Sequence, residues 1–166
     1  MTANDIGLIV LTGVGATIIT DVWSIVRKRL FAIPPPNFGL VGRWVAHIAR
    51  GRFRHDSIAA ATPVRGEVAL GWSVHYAIGI AFAFLLPAFW GPEWLRNPTL
   101  GAALLVGVNT VVAPFFIMQP AMGAGILASR TPNPPAARFH SLITHAVYGL
   151  GVYIAARIVS HLSVGE

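Results

Sequence analysis

Gly71–Leu86 reads GWSVHYAIGIAFAFLL, an apolar run that carries one ionisable side chain, His75. Extended to Trp90 it is long enough to cross a hydrocarbon core, which takes about 20 apolar residues as a helix. A near echo follows at Ser141–Ala156, SLITHAVYGLGVYIAA. Laying one on the other aligns His145 with His75 and Gly149 with Gly79, so both read His-x-x-x-Gly, with Tyr76 and Tyr148 each beside one of those residues. The match predicts two related halves organised around two histidines.

Composition agrees with a membrane solvent. Hydrophobic residues make up 55% of the chain and charged residues 11%, with a mean hydropathy of +0.66, whereas a soluble domain carries roughly 25% charge. Segments 6–26, 67–90, 99–127 and 139–160 each have the length and apolarity of a span. The expected fold is all-α: a single polytopic domain of four transmembrane helices, arranged as two two-helix pseudo-repeats. With no cysteine, disulfides, thiol nucleophiles and thiolate metal sites are excluded. The first span begins MTANDIGLIV, with Asp5 and no basic n-region, so it is expected to stay as a helix and not to be cleaved as a signal peptide.

Charge gives an orientation. Of 12 Lys and Arg, eight lie between the first and second spans, two (Arg130, Arg138) between the third and fourth, and only Arg96 and Arg157 elsewhere. Basic residues in short loops stay on the cytoplasmic side, which predicts both termini and the Glu93 loop outside. The pI near 11.1 is explained by this topology and by anionic lipid headgroups, and nucleic acid is not an expected partner.

Pro34-Pro35-Pro36 ends the first helix, because proline lacks the N–H that would continue it. Beyond it Phe38, Val41, Trp44, Val45 and Ile48 recur at helical spacing, with Arg43, His47, Arg50 and Arg54 opposite. The pattern predicts an amphipathic helix over about 38–50, lying in the cytoplasmic interface with Trp44 down and Arg43, Arg50 and Arg54 toward headgroups. His47 and His55 are expected to be exposed and not ligands. Trp90 and Trp94 are expected to mark the outer interface as an aromatic belt.

Among the polar residues inside the spans, four stand out. Asp21 lies six residues before Arg27, roughly 9 Å into the helix. His75 is placed roughly 12–15 Å, and His145 roughly 10 Å, from the same side. Gln119 sits in a third span interrupted by Asn109, Pro114, Pro120, Gly123 and Gly125, which predicts a kinked or broken helix. Met118 and Met122 beside it are read as packing. Ionisable groups are costly in hydrocarbon and much less so when they share a site, so Asp21, His75, His145 and Gln119 are the candidate ligand-binding set. The same residues also fit a hydrogen-bonded cluster that holds the helices together.

GATIITDVW, GRWVAHIARGRFRHD, GWSVHYAIGIAFA, MQPAMGAGILASRTPNP and SLITHAVYGLG together resemble the bacterial inner-membrane family catalogued as domain of unknown function twenty-nine thirty-eight. The resemblance implies a four-span protein of the bacterial inner membrane and implies no activity or site residues. Three functions stay open. The polar set could bind a small ligand, a divalent metal ion through His75 and His145, or a proton, for transport or sensing. His75 and His145 could instead be axial ligands of haem b, with Gly79 and Gly149 giving the porphyrin room. Or the chain is an accessory subunit, packing on a second copy or a larger membrane complex through small residues such as Gly151 and Ala155. An enzyme is the least supported reading, since no nucleophile–base spacing or phosphate-binding glycine loop is present.

Overall fold

The computed structural model describes residues 1–163, and the C-terminal end at 164–166, expected outside, lies beyond them. Every regular element among the described residues is helical. In chain order the α-helices are α1 (Ala3–Phe31), α2 (Phe38–Ile48), α3 (Glu67–Trp90), α4 (Glu93–Arg96), α5 (Leu100–Asn109), α6 (Gln119–Met122) and α7 (Pro134–Ser163), with short 3-10 turns at Ile58–Ala60 and Ile126–Ala128. Four stretches are long and apolar enough to cross a membrane: Ala3–Phe31, Glu67–Trp90, Leu100–Met122 and Pro134–Leu162.

The third of these is broken, as its prolines predict. After α5 the chain passes through a turn into a π-helical turn, Pro114–Met118, and then into α6, which ends on Gly123 at φ +97°. Each proline removes a backbone donor, so the ladder is re-registered through wider i→i+5 bonding.

The residues fall into two compact units. The first gathers Met1–Pro35, Tyr76–Thr110 and the chain from Ile143 onward. Its core is Ile9, Ala16, Ala83, Leu86, Ala103, Val152 and Ala156 with their neighbours. Small residues let the helix backbones approach. A Cβ at Gly13 would lie 2.6 Å from the Cα of Ile80, and one at Gly15 would lie 2.9 Å from the Cβ of Ala155. A Cβ at Gly149 would stand 2.7 Å from the Ala103 carbonyl oxygen, and one at Gly107 would strike the Gly149 backbone. Between helices in lipid, such close van der Waals packing replaces the missing hydrophobic drive.

At one end of this unit Thr2 and Asp5 cap α1 reciprocally, Asp5 N–H donating to Thr2 Oγ1 and Thr2 N–H to Asp5 Oδ2. Arg96 reaches the same carboxylate at 3.3 Å. Trp94 does not join an exposed aromatic belt. It is buried among Leu8, Leu95 and their neighbours, and its indole N–H donates to Thr99 Oγ1 at 3.2 Å. Trp90 is exposed.

The second unit comprises Pro36–His75 and Val111–Leu142. Here α2 lies on the opening turns of α3 with almost nothing between the backbones: a Cβ at Gly42 would strike the Glu67 carbonyl, and one at Gly71 the Phe38 carbonyl. A smaller core forms from Trp44, Ile58 and Ala121, with Leu40, Met118 and Met122 against it, so the methionines pack as expected.

Candidate functional site

The polar residues of the first unit have defined partners. Asp21 on α1 accepts a 3.0 Å hydrogen bond from the Tyr76 hydroxyl on α3. On α7, His145 Nδ1 stands 2.8 Å from Thr110 Oγ1. The Thr110 hydroxyl proton is already engaged, donating to the Gly107 carbonyl at 2.6 Å. Thr110 must therefore accept from His145, which puts the proton of the neutral ring on Nδ1 and leaves Nε2 as the lone-pair nitrogen. Tyr148, one turn from His145, donates to the Gly79 carbonyl at 2.6 Å.

The second unit holds the other candidates. His75 stacks on Phe38 with ring centroids 4.0 Å apart and meets Trp72 edge-on at 5.7 Å. Gln119 lies at the start of α6, its side-chain oxygen buried without a hydrogen-bond donor.

The space beside the glycines is filled. A Cβ at Gly79 would strike the Thr17 hydroxyl, and Gly149 abuts the Ala103–Gly107 stretch. These glycines seat neighbouring helices, and a porphyrin does not fit against them. Among the described residues, no group of three or more His, Asp or Glu is placed to hold a metal ion.

Three expectations for the loop after α1 are overturned. Arg43 does not point toward headgroups and Trp44 does not turn down into the interface, because both are buried within the protein. Arg43 forks onto Glu67, Nε to Oε2 at 2.9 Å and Nη2 to Oε1 at 2.7 Å, while Nη1 donates to the carbonyls of Ile58, Ala59 and Ala61. Glu67 also accepts the Val64 N–H at 2.8 Å, capping the start of α3. Trp44 donates its indole N–H to the Phe53 carbonyl at 2.8 Å. These side chains tie segment 53–62, whose one helical piece is the 3-10 turn Ile58–Ala60, to α2 by supplying donors to carbonyls that would otherwise be left to water. Arg50 and Arg54 are exposed and stay available to headgroups.

His47 and His55, expected outside, are the third correction: both are buried, with His47 Nδ1 2.9 Å from His55 Nε2. His47 Nε2 is 3.1 Å from the Thr62 carbonyl, so it carries a proton. In the neutral pair His55 Nε2–H then donates to His47 Nδ1, and His55 Nδ1 is buried unpartnered. Burial first, then Arg52 and His47, hold His55 below the ordinary 6.5. A folded-state pKa lowered in this way means the unfolded chain binds protons more readily. Stability is thus fully present above about 6.5 and falls as pH drops toward the folded value. Protection factors of the 53–62 amides, corrected for the intrinsic slowing of exchange in acid, should fall on acidification through that window, and His55→Phe should remove most of that fall. An unchanged acid response in that variant would locate the sensitivity elsewhere.

The family described as Protein of unknown function (DUF2938) matches residues 10–159. The chain belongs to this family. No curated protein and no solved structure matches it. The DUF2938 match spans both units, including Asp21, Tyr76, Thr110 and His145 of the first and Arg43, Glu67, His47 and His55 of the second.

The small residues expected to receive a partner, Gly151 and Ala155, pack inside the first unit. A Cβ at Gly151 would lie 3.1 Å from the Ala16 carbonyl oxygen, and Ala155 faces Gly15. In this DUF2938 chain those residues are spent on contacts within the first unit. They offer no docking stripe.

Proposed function

We propose that this is a multi-pass protein of the bacterial inner membrane, with both termini outside, that takes up and releases a proton, or a small polar ligand bearing one, at Asp21 and His145 for transport or sensing. The observation that carries the reading is the hydrogen bond from Tyr76 to Asp21 between two membrane-length helices. A hydroxyl is both donor and acceptor. Tyr76 can donate to the carboxylate and accept from the carboxylic acid, so the contact survives either charge state, as a bond from a lysine or arginine would not. The neutral tautomer of His145, with Nε2 as lone pair, supplies a second proton-accepting nitrogen. His75 and Gln119 are kept as candidate ligand-binding groups of the second unit, taken by itself. Filled glycine spaces speak against haem b, and among the described residues no three-ligand group favours a divalent metal.

The parallel repeat is part of the reading, supported by Gly79 and Gly149 each marking a close helix approach one turn beyond its histidine. The basic loops, Arg50 and Arg54 among them, support the cytoplasmic placement of the first and third loops.

Purified protein in vesicles loaded with a pH dye tests the function. An imposed potential should drive proton movement that Asp21→Asn abolishes and His145→Gln reduces. Equal rates in wild type and both variants would discard the reading. Proton movement that appears only with a co-solute would recast the site as ligand-binding.

A further inference from the structure

Near the Arg27-Lys28-Arg29 end of α1, Arg27 is 7% exposed. Its only hydrogen bond among the described residues is a long one, 3.4 Å from Nη1 to Thr144 Oγ1 on α7. No carboxylate among the described residues lies within ion-pair distance of it, and its Nε is buried without an acceptor. One turn earlier on the same face, the Trp23 indole N–H is also buried without an acceptor. A guanidinium cannot shed its charge, and a buried charge with no counterion is strongly unfavourable. Two unmet donors and an uncompensated cation share one helix face, with a hydroxyl across from them. Lys28 and Arg29, both exposed, add positive potential beside it.

We propose that Arg27, Trp23 and Thr144 form a receptor for a single oxyanion of the phosphate class, borne either on a lipid headgroup or on a soluble ion. A guanidinium presents paired N–H groups that match phosphate oxygens. The indole N–H, a donor only, adds a third bond, while Thr144 Oγ1 accepts from Nη1 and holds the guanidinium in place. Neither Nε nor the indole nitrogen is open to water in this conformation, so binding includes a rotation of both the Arg27 and Trp23 side chains that turns these donors toward the anion. The level is that of headgroups, since the basic run ends the span here. This site is independent of the proton chemistry assigned to Asp21 and His145.

The test is nitrogen-15 NMR of the full chain in an uncharged maltoside micelle, following the Arg27 Nε–H and Trp23 Nε1–H resonances. Phosphatidylglycerol is titrated in one arm and inorganic phosphate in the other. Saturable movement of both resonances with the lipid alone identifies a headgroup site. The same movement with inorganic phosphate identifies a soluble anion. Movement of neither resonance in either arm overturns the proposal. Trp23→Phe, which keeps the ring and loses the N–H, and Arg27→Lys, which keeps the charge and loses the fork, should each weaken the wild-type response roughly tenfold or more, as the loss of a hydrogen bond to a charged group implies. Unchanged affinity in both would assign the anion to Lys28 and Arg29 and contradict the proposal.

Discussion

Gly71→Val is expected to unseat α2 from α3 and cost the second unit at least about 3 kcal/mol, the upper end of ordinary overpacking. The clash is with the Phe38 carbonyl and the backbone of Gly42. No rotamer change relieves a contact with main chain, so the helices must separate. Separation would also pull Phe38 away from His75 and Trp72, whose rings it meets at 4.0 and 4.6 Å. Gly101→Ala is the matched control. A Cβ there has nothing within 4 Å, and removing a helical glycine should stabilise by about 0.5–1 kcal/mol. Thermal melts followed by tryptophan fluorescence, with Trp44 and Trp72 both in the second unit, report the difference. Gly71→Val melting with the wild type would show that α2 does not pack on α3 in this way.

Arg43→Met should have the largest effect of any side-chain replacement in the loop. It removes both arms of the fork from Glu67 and the donor to three carbonyls in one step. The greater part of the loss comes from what is left behind, a carboxylate and loop carbonyls without their donor, and not from the forfeited attraction itself. Arg43→Lys should recover only part of the stability, because an ammonium cannot make the fork. The double variant Arg43→Met with Glu67→Met should be more stable than Arg43→Met alone, since no charge is then stranded. A double variant that melts below both single variants would place the stabilisation in the attraction between the two groups.

Much of the fold was legible because its causes are local. Span length and apolarity mark the four membrane-length stretches, and prolines mark the break before Met118. All of these follow from residues close in sequence. The orientation of α2 was not legible. Periodicity showed that Arg43 and His47 share a face, but a charged face is buried when a partner covers it, and Glu67 lies 24 residues further along. The same limit applies to Trp94, whose core neighbours come from α1, and to Gly151 and Ala155, whose small-residue pattern reads alike for internal and external partners.

For the polar groups, sequence supplied Asp21 and His145 through their cost in hydrocarbon. It did not supply their partners, Tyr76 and Thr110, which are unremarkable residue types brought close by packing. A search for hydroxyls one helix turn from the buried histidines would have suggested Tyr148, which instead bonds the Gly79 carbonyl.

The most direct measurement is infrared difference spectroscopy of the protein in lipid, titrated across the pH range in which it stays folded. Asp21 exchanging a proton should give a protonated-carboxyl band that grows on acidification, is absent from Asp21→Asn, and is displaced by Tyr76→Phe through loss of the hydroxyl contact. A pH-dependent spectrum identical in wild type and Asp21→Asn would contradict proton exchange at this carboxylate, and would make the Asp21–Tyr76 bond a fixture of helix packing.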